Sequence, residues 1–277
     1  MSKERVGVIG IGIIGAVWAN NYESAGLLSA SWNRSPKPAS PKWCADAASV
    51  ARACSVVHLV VSDPGSVSEV LSAIEAELRP EQLVIQSTTI DPESAGRFAA
   101  RVRARGAQYL EAPFMGSRVA AEQRKTVFLT GGDAAVAERA EPVLGQLSAV
   151  RHHVGSEAQA AALKLSFNLH VAITMQGICE GLNLARQSEL GDAAFFRILE
   201  ATALWSGFHS LKEPKLTSGD FSPQFSVKHM LKDVRLAIAL AQPGSVPLGS
   251  AVREQLTEAH RRGFSDEDMA ALIKVLG

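Results

Sequence analysis

Gly10-Ile11-Gly12-Ile13-Ile14-Gly15 spells GxGxxG. It follows a short β-branched run, Val6 to Ile9, and opens a segment with helical spacing that ends before Gly26. In that setting Gly10 permits a tight turn, Gly12 lets backbone approach a pyrophosphate, and Gly15 lets the helix sit close to the sheet. The helix N-terminus then favours the phosphate charge. The end of the next strand chooses the dinucleotide. NAD sites place a carboxylate there, about 20 residues on, to hold the ribose hydroxyls. This chain instead has Trp32-Asn33-Arg34-Ser35, with Lys37 after it. Nothing acidic repels a 2′-phosphate, Arg34 can pair with it and stack on adenine, and Asn33 and Ser35 can hydrogen-bond it. NADP is the expected cofactor.

Two further sets have reactive side chains. Lys164 and Asn168 are four residues apart and project from one helical face. Lys232 and Asp233 are adjacent on another helical segment. A lone lysine on a helix is usually solvated, and adjacent opposite charges usually form a surface pair. Lys164 differs in standing among Leu163, Leu165 and Phe167. His152-His153 on a strand would point to opposite faces, a poor chelate, so no metal site is expected.

The elements that must position these groups change character along the chain. The first half alternates strand and helix signals. Strands are read at Val6–Ile9, Ser29–Trp32, Val56–Val61, Leu83–Ile85, Tyr109–Glu111 and Val127–Thr130, with helices from Ile13 to about Ala25, up to Arg103, and up to about Gln146. Asp63-Pro64 and Asp91-Pro92 each give an N-cap followed by proline at the first helical position, and Asp133 gives a third cap. Alternation of this kind predicts an α/β domain with a mostly parallel sheet. From Ala158 to Gln187 the pattern is apolar at helical spacing without proline, a helix long enough to join two domains and to enter a subunit interface. Helices then follow at Asp192–Thr202, Ser226–Ala241, Val246–Arg262 and Asp266–Leu276. The expected organisation is a Rossmann-type domain over 1–155 and an all-α domain over 156–277.

Composition bounds the function. The chain has 277 residues, 47% hydrophobic, with 28 basic against 28 acidic side chains. Zero net charge argues against nucleic acid and against a basic membrane-surface role. Cys44, Cys54 and Cys179 are few and widely spaced, read as reduced thiols. No apolar leader is read in the opening MSKER and no run reaches a membrane span, so a cytoplasmic protein is expected.

Further segments carry a resemblance. Leu59-Val60-Val61-Ser62-Asp63-Pro64, Thr88-Thr89-Ile90-Asp91-Pro92, Glu111-Ala112-Pro113-Phe114-Met115-Gly116-Ser117, Lys164-Leu165-Ser166-Phe167-Asn168 and Phe225 through Lys228-His229-Met230-Leu231-Lys232-Asp233 occur in that order. With the glycine loop, they resemble the β-hydroxyacid dehydrogenase family, especially its NADPH-dependent glyoxylate/succinic semialdehyde reductase branch. The resemblance covers nearly the whole chain. It implies that Val60, Val61 and Ser62 border the cofactor, that Thr89 lies by the nicotinamide ribose, and that Lys232 contacts the nicotinamide end. It further implies that Phe114, Met115, Gly116, Ser117 and Phe225 face substrate. Lys164 is then the acid that stabilises a developing alkoxide and gives it a proton. Asn168 holds the substrate or orients the lysine, and Asp233 supports it.

The expected activity is NADPH-dependent hydride transfer to a small aldehyde, semialdehyde or 2-oxo acid, with oxidation of a β-hydroxyacid as its reverse. Two departures bear on the substrate. Met115 stands where the family has serine, and Ala158 and Ala160 stand where it has glycine. Reduction of a less polar carbonyl or a cyclic imine is the enzymatic alternative, and a non-catalytic NADP-binding regulator is the alternative of another class. The length of the apolar helix predicts a homodimer through the helical domain.

Overall fold

The computed structural model describes residues 4–276; the first three residues of the opening segment read above lie outside them. The described residues divide into two compact units, one ending at Leu165 and the next beginning at Ser166.

The first unit runs β1 (Val6–Ile9), α1 (Ile13–Ser24), β2 (Leu28–Trp32), α2 (Ala47–Ala53), β3 (Val56–Leu59), α3 (Pro64–Ile74), β4 (Leu83–Gln86), α4 (Pro92–Arg103), β5 (Gln108–Glu111), β6 (Phe114–Met115), α5 (Arg118–Glu122), β7 (Val127–Thr130), α6 (Ala134–Leu144) and β8 (Val150–His153). Strands β2-β1-β3-β4-β5 form one parallel sheet in that order. Every residue of β1, β3 and β4 is buried, as a parallel strand covered on both faces must be. Strand alternation feeds two cores. Val57, Leu59, Val84 and Tyr109 pack with α2, α3 and α4, while Val56, Ile85 and Leu110 pack with α1 and α6. The chain leaves β1 in one direction across the sheet and returns to β3 on its other side. Ligands bind at the strand ends of such a reversal, and the glycine loop lies there.

Asp46, Asp63, Asp91 and Asp133 accept bonds from Ser49, Ser66, Ser94 and Ala135 amides at the starts of α2, α3, α4 and α6. Each such cap stabilises by about 1 kcal/mol. A smaller sheet, β6-β7-β8, pairs β6 antiparallel and β8 parallel to β7.

Helix α7 (Glu157–Gln187) begins in the first unit and continues in the second. The second unit adds α8 (Asp192–Glu200), α9 (Gly207–Ser218), α10 (Val227–Leu240), α11 (Pro247–Arg261) and a 3₁₀ helix, Met269–Val275. Its core gathers Met175, Cys179, Leu182, Phe196, Met230, Val234 and Leu256. Helix α9 had no clear sequence signature, because Pro214 interrupts its interior and its apolar face is weak. The last segment winds as a 3₁₀ rather than an α-helix. There Asp268 is fully buried, capping Ala270 and ion-paired with the buried Lys212 at 2.7 Å.

Candidate active site

At the nucleotide loop, close approach of backbone explains two of the glycines. Gly10 has φ +106°, and a Cβ there would lie 2.2 Å from the Val60 carbonyl oxygen. A Cβ on Gly15 would lie 1.8 Å from the Gly10 carbonyl oxygen. Gly12 is different: apart from its chain neighbours, no described residue lies within 4 Å of where its Cβ would be, and it begins α1 without a side-chain cap. Open space above an uncapped helix N-terminus fits a dinucleotide phosphate.

Asn33 accepts from the Ile11 amide at 3.0 Å and donates to the Ser35 carbonyl at 2.9 Å, tying the end of β2 to the loop. The Lys37 ammonium donates to the Ile11 carbonyl at 2.6 Å. Arg34 is 73% exposed and pairs with Glu69 on the surface at 3.3 Å. Such an exposed pair contributes at most about 1 kcal/mol. Ile13 is exposed and Ile14 half-buried at the start of α1.

The loop after β3 joins this group. The Val60 amide continues the ladder to the Ile9 carbonyl, the Val61 amide donates to Thr88 Oγ1 at 2.9 Å, and Ser62 donates to the capping Asp63 at 2.6 Å. Thr89 is half-buried just beyond β4. A buried network that the sequence did not disclose holds this strand end. Gln86 donates to both the Thr88 carbonyl and Glu111, each at 2.9 Å, and Tyr109 donates to the other Glu111 oxygen at 2.7 Å. Burial pushes the Glu111 carboxyl up to about 8.

Phe114 and Met115 form β6, Gly116 turns at φ +126°, and Ser117 begins α5 without a side-chain cap. Lys164, only 7% exposed, places its ammonium 3.4 Å from Met115 Sδ and 5.7 Å from the Phe114 ring centre. The tertiary fold thus brings the lysine to the segment on which the sequence reading placed substrate. Ala160 is buried, and a Cβ on Gly131 would lie 2.7 Å from its Cβ. The small residue facing this turn of α7 is therefore Gly131.

In the second unit, Asn168 donates to Asp233 at 2.5 Å; both are buried. Lys232 pairs with the other Asp233 oxygen at 2.6 Å. Lys228 instead pairs with exposed Asp266 at 2.6 Å. His229 accepts from or donates to Ser226, and burial holds its ring below the ordinary histidine range. Phe225 is half-buried, its amide donating to Asp268 at 3.1 Å. No group of His, Cys, Asp and Glu among the described residues is arranged to hold a metal, and no described helix is long and apolar enough to cross a membrane.

Two family models divide the chain. Residues 5–155 match the NAD binding domain of 6-phosphogluconate dehydrogenase, and residues 158–276 match the NAD-binding domain of NADP-dependent 3-hydroxyisobutyrate dehydrogenase. The chain belongs to the β-hydroxyacid dehydrogenase family. Glyoxylate/succinic semialdehyde reductase 2 of Arabidopsis thaliana is 29% identical, over 98% of this chain and 79% of that protein. Among solved structures, 3-hydroxyisobutyrate dehydrogenase from Salmonella typhimurium shares the fold at TM-score 0.88, with 24% identity over 98% of this chain and 99% of that one. Psf3, solved with NADP+ and 2-OPP, shares it at 0.91, with 22% identity over 98% and 100%. As a β-hydroxyacid dehydrogenase, the protein is an NAD(P)-dependent oxidoreductase acting on a small molecule.

Proposed function

We propose that this β-hydroxyacid dehydrogenase uses NADPH to reduce the carbonyl of a small aldehyde, semialdehyde or 2-oxo acid, with Lys164 as the acid. The observation that carries the reading is the buried Lys164 ammonium against Phe114 and Met115. When bound, the nicotinamide supplies the hydride. Lys164 stabilises the charge developing on the carbonyl oxygen and donates its proton there. Asn168, one helical turn on and oriented by Asp233, steadies the amine or the substrate. Gly116 and Ser117 offer backbone amides and a hydroxyl to a substrate carboxylate, and Phe225 covers the substrate. Lys232, fixed by Asp233, serves the nicotinamide end.

The glycine loop, Val60, Val61, Ser62 and Thr89 hold the rest of the cofactor. Arg34 supports NADP over NAD, since its exposed guanidinium sits in a weak surface pair and can turn to a 2′-phosphate. Asn33 and Ser35 complete that end.

Met115 favours a second substrate class. A thioether is a weak acceptor and gives no proton, and with the Phe114 ring it presents an apolar, polarizable wall. Less polar carbonyls or cyclic imines fit that wall better than small carboxylates. Exposed Leu184, Ile198, Leu204 and Leu248 on the helical unit, each more than 60% accessible, support the reading of a homodimer. Free Cys44, Cys54 and Cys179 suit a reducing, cytoplasmic setting.

The deciding experiment is NADPH oxidation over glyoxylate, succinic semialdehyde, neutral aldehydes and cyclic imines. Turnover of one of these, lost in Lys164→Ala, is expected. No consumption with any of them, or normal turnover in Lys164→Ala, overturns the reading. A monomer in light scattering at micromolar concentration overturns the dimer.

A further inference from the structure

His58 stands in the middle of an otherwise apolar strand, β3, and is fully buried. Its hydrogen bonds have a determinable direction. Ser87 Oγ donates to the Ala112 carbonyl at 2.6 Å, which uses its one proton. The 2.8 Å contact between His58 Nε2 and Ser87 Oγ is therefore an N–H donating to the hydroxyl. The ring is the Nε2–H tautomer, and its Nδ1 accepts from the Tyr22 hydroxyl at 3.0 Å. Burial pushes the ring down to about 3, so it stays neutral through the working pH range. A one-way chain results, from Tyr22 through His58 and Ser87 to the carbonyl just before Pro113-Phe114-Met115. Pro113 has no N–H of its own to anchor that turn.

A second route reaches the same segment through rings. Trp18 stacks on His58 at 4.9 Å and meets Phe114 edge-on at 4.8 Å. The Trp18 indole N–H has no hydrogen-bond partner among the described residues, so packing, the ring contacts included, sets its position. Phe114 in turn lies under the Lys164 ammonium.

We propose that His58 is a positioning residue for carbonyl reduction, fixing the Ala112–Met115 backbone through Ser87 and the Phe114 ring through Trp18. This rests on the reading of Lys164, Phe114 and Met115 given above. It assigns a specific task to a fully buried histidine.

The test compares His58→Leu, His58→Gln and Ser87→Ala in the full chain. Glutamine keeps an N–H close to the Nε2 position; leucine removes it, and Ser87→Ala cuts the chain without disturbing the rings. The readouts are kcat on the best substrate of the panel, NADPH affinity by fluorescence, and the Met115 resonance in protein labelled at methionine methyls. His58→Leu and Ser87→Ala should lower kcat about tenfold through misplacement of the substrate wall. NADPH affinity should stay within about twofold, and the Met115 methyl should shift. His58→Gln should recover kcat to within about threefold of wild type. An unchanged kcat and an unmoved Met115 methyl, with Lys164→Ala inactive, overturn the proposal. Should Lys164→Ala stay active, the functional reading fails, and the Met115 methyl still decides whether His58 positions this segment. If His58→Leu does not fold, the kcat and Met115 methyl of Ser87→Ala decide between these outcomes.

Discussion

The nucleotide loop and the segment Phe114–Met115 are both part of the first unit, yet they are built on opposite principles. The loop is made of backbone. Gly10 and Gly15 exist to let carbonyls pass, and Gly12 leaves space. The Phe114–Met115 segment is made of side chains whose places are set by other side chains: Lys164 on Met115, Phe114 on Trp18, Trp18 on His58. A backbone site tolerates change in the residues around it but not in its glycines. A side-chain site can be retuned by one substitution, because each contact is separately replaceable. The same scaffold can therefore keep one cofactor while its substrate changes.

The largest expected effect is on the side-chain site. Lys164→Ala should lower turnover at least about 100-fold with NADPH binding nearly intact. Lys164→Arg should also be poor, since a guanidinium keeps its proton near neutral pH. Equal loss of NADPH binding would erase the separation between the two regions.

The glycines test the backbone half. Gly15→Ala should destabilise by about 1–3 kcal/mol, the usual cost of overpacking, seen as a lower Tm. Gly12→Ala should leave Tm unchanged and weaken NADPH alone. If Gly12→Ala also lowers Tm, the space there serves the fold and not a ligand.

Two buried groups make the first unit sensitive to pH in opposite directions. His58 is depressed from 6.5 to about 3, so the unfolded chain binds its proton first and stability is lost as pH falls below 6.5. Glu111 is raised from 4.5 to about 8, so the folded chain keeps its proton longer and stability is lost as pH rises above 4.5. Between those two values the slopes cancel. The pair should contribute a plateau there, with roughly 2 kcal/mol lost on going down to pH 3 and a similar amount on going up to pH 8. Urea unfolding against pH measures this; Glu111→Gln should abolish the alkaline loss and, with nothing left to cancel His58, start the acid loss at about pH 6.5 instead of 4.5.

Arg34→Ala should raise the NADPH Michaelis constant about tenfold or more while barely moving that of NADH. An equal rise for both cofactors would make Arg34 structural. The smallest effect is on substrate choice. Met115→Ser should improve glyoxylate kcat/KM by roughly tenfold, the low end for a bond to a charged group, and weaken activity on apolar carbonyls. Strong wild-type glyoxylate turnover would show that the amides around Gly116 and Ser117 suffice for the carboxylate.

The sequence by itself determined the parts whose physics is local. Val6–Ile9 before GxGxxG defined strand, turn and helix, because glycine at those spacings answers to backbone geometry alone. Asp63-Pro64 and Asp91-Pro92 marked helix starts because caps and fixed φ act within one turn. The long apolar run defined α7 to within a residue at its start. Ordered motifs carried the family. Tertiary structure decided what depends on residues distant in the chain. Nothing local shows that Met115 meets Lys164, 49 residues away, or that Asn168 donates to Asp233, 65 residues away. A histidine inside β3 has no meaning until Tyr22 and Ser87 close on its two nitrogens. The 3₁₀ winding of the segment read as a helix over Asp266–Leu276 was hidden for the same reason. A buried lysine–aspartate pair and loop bonds to Asp268 help define that region, and no local periodicity records such partners.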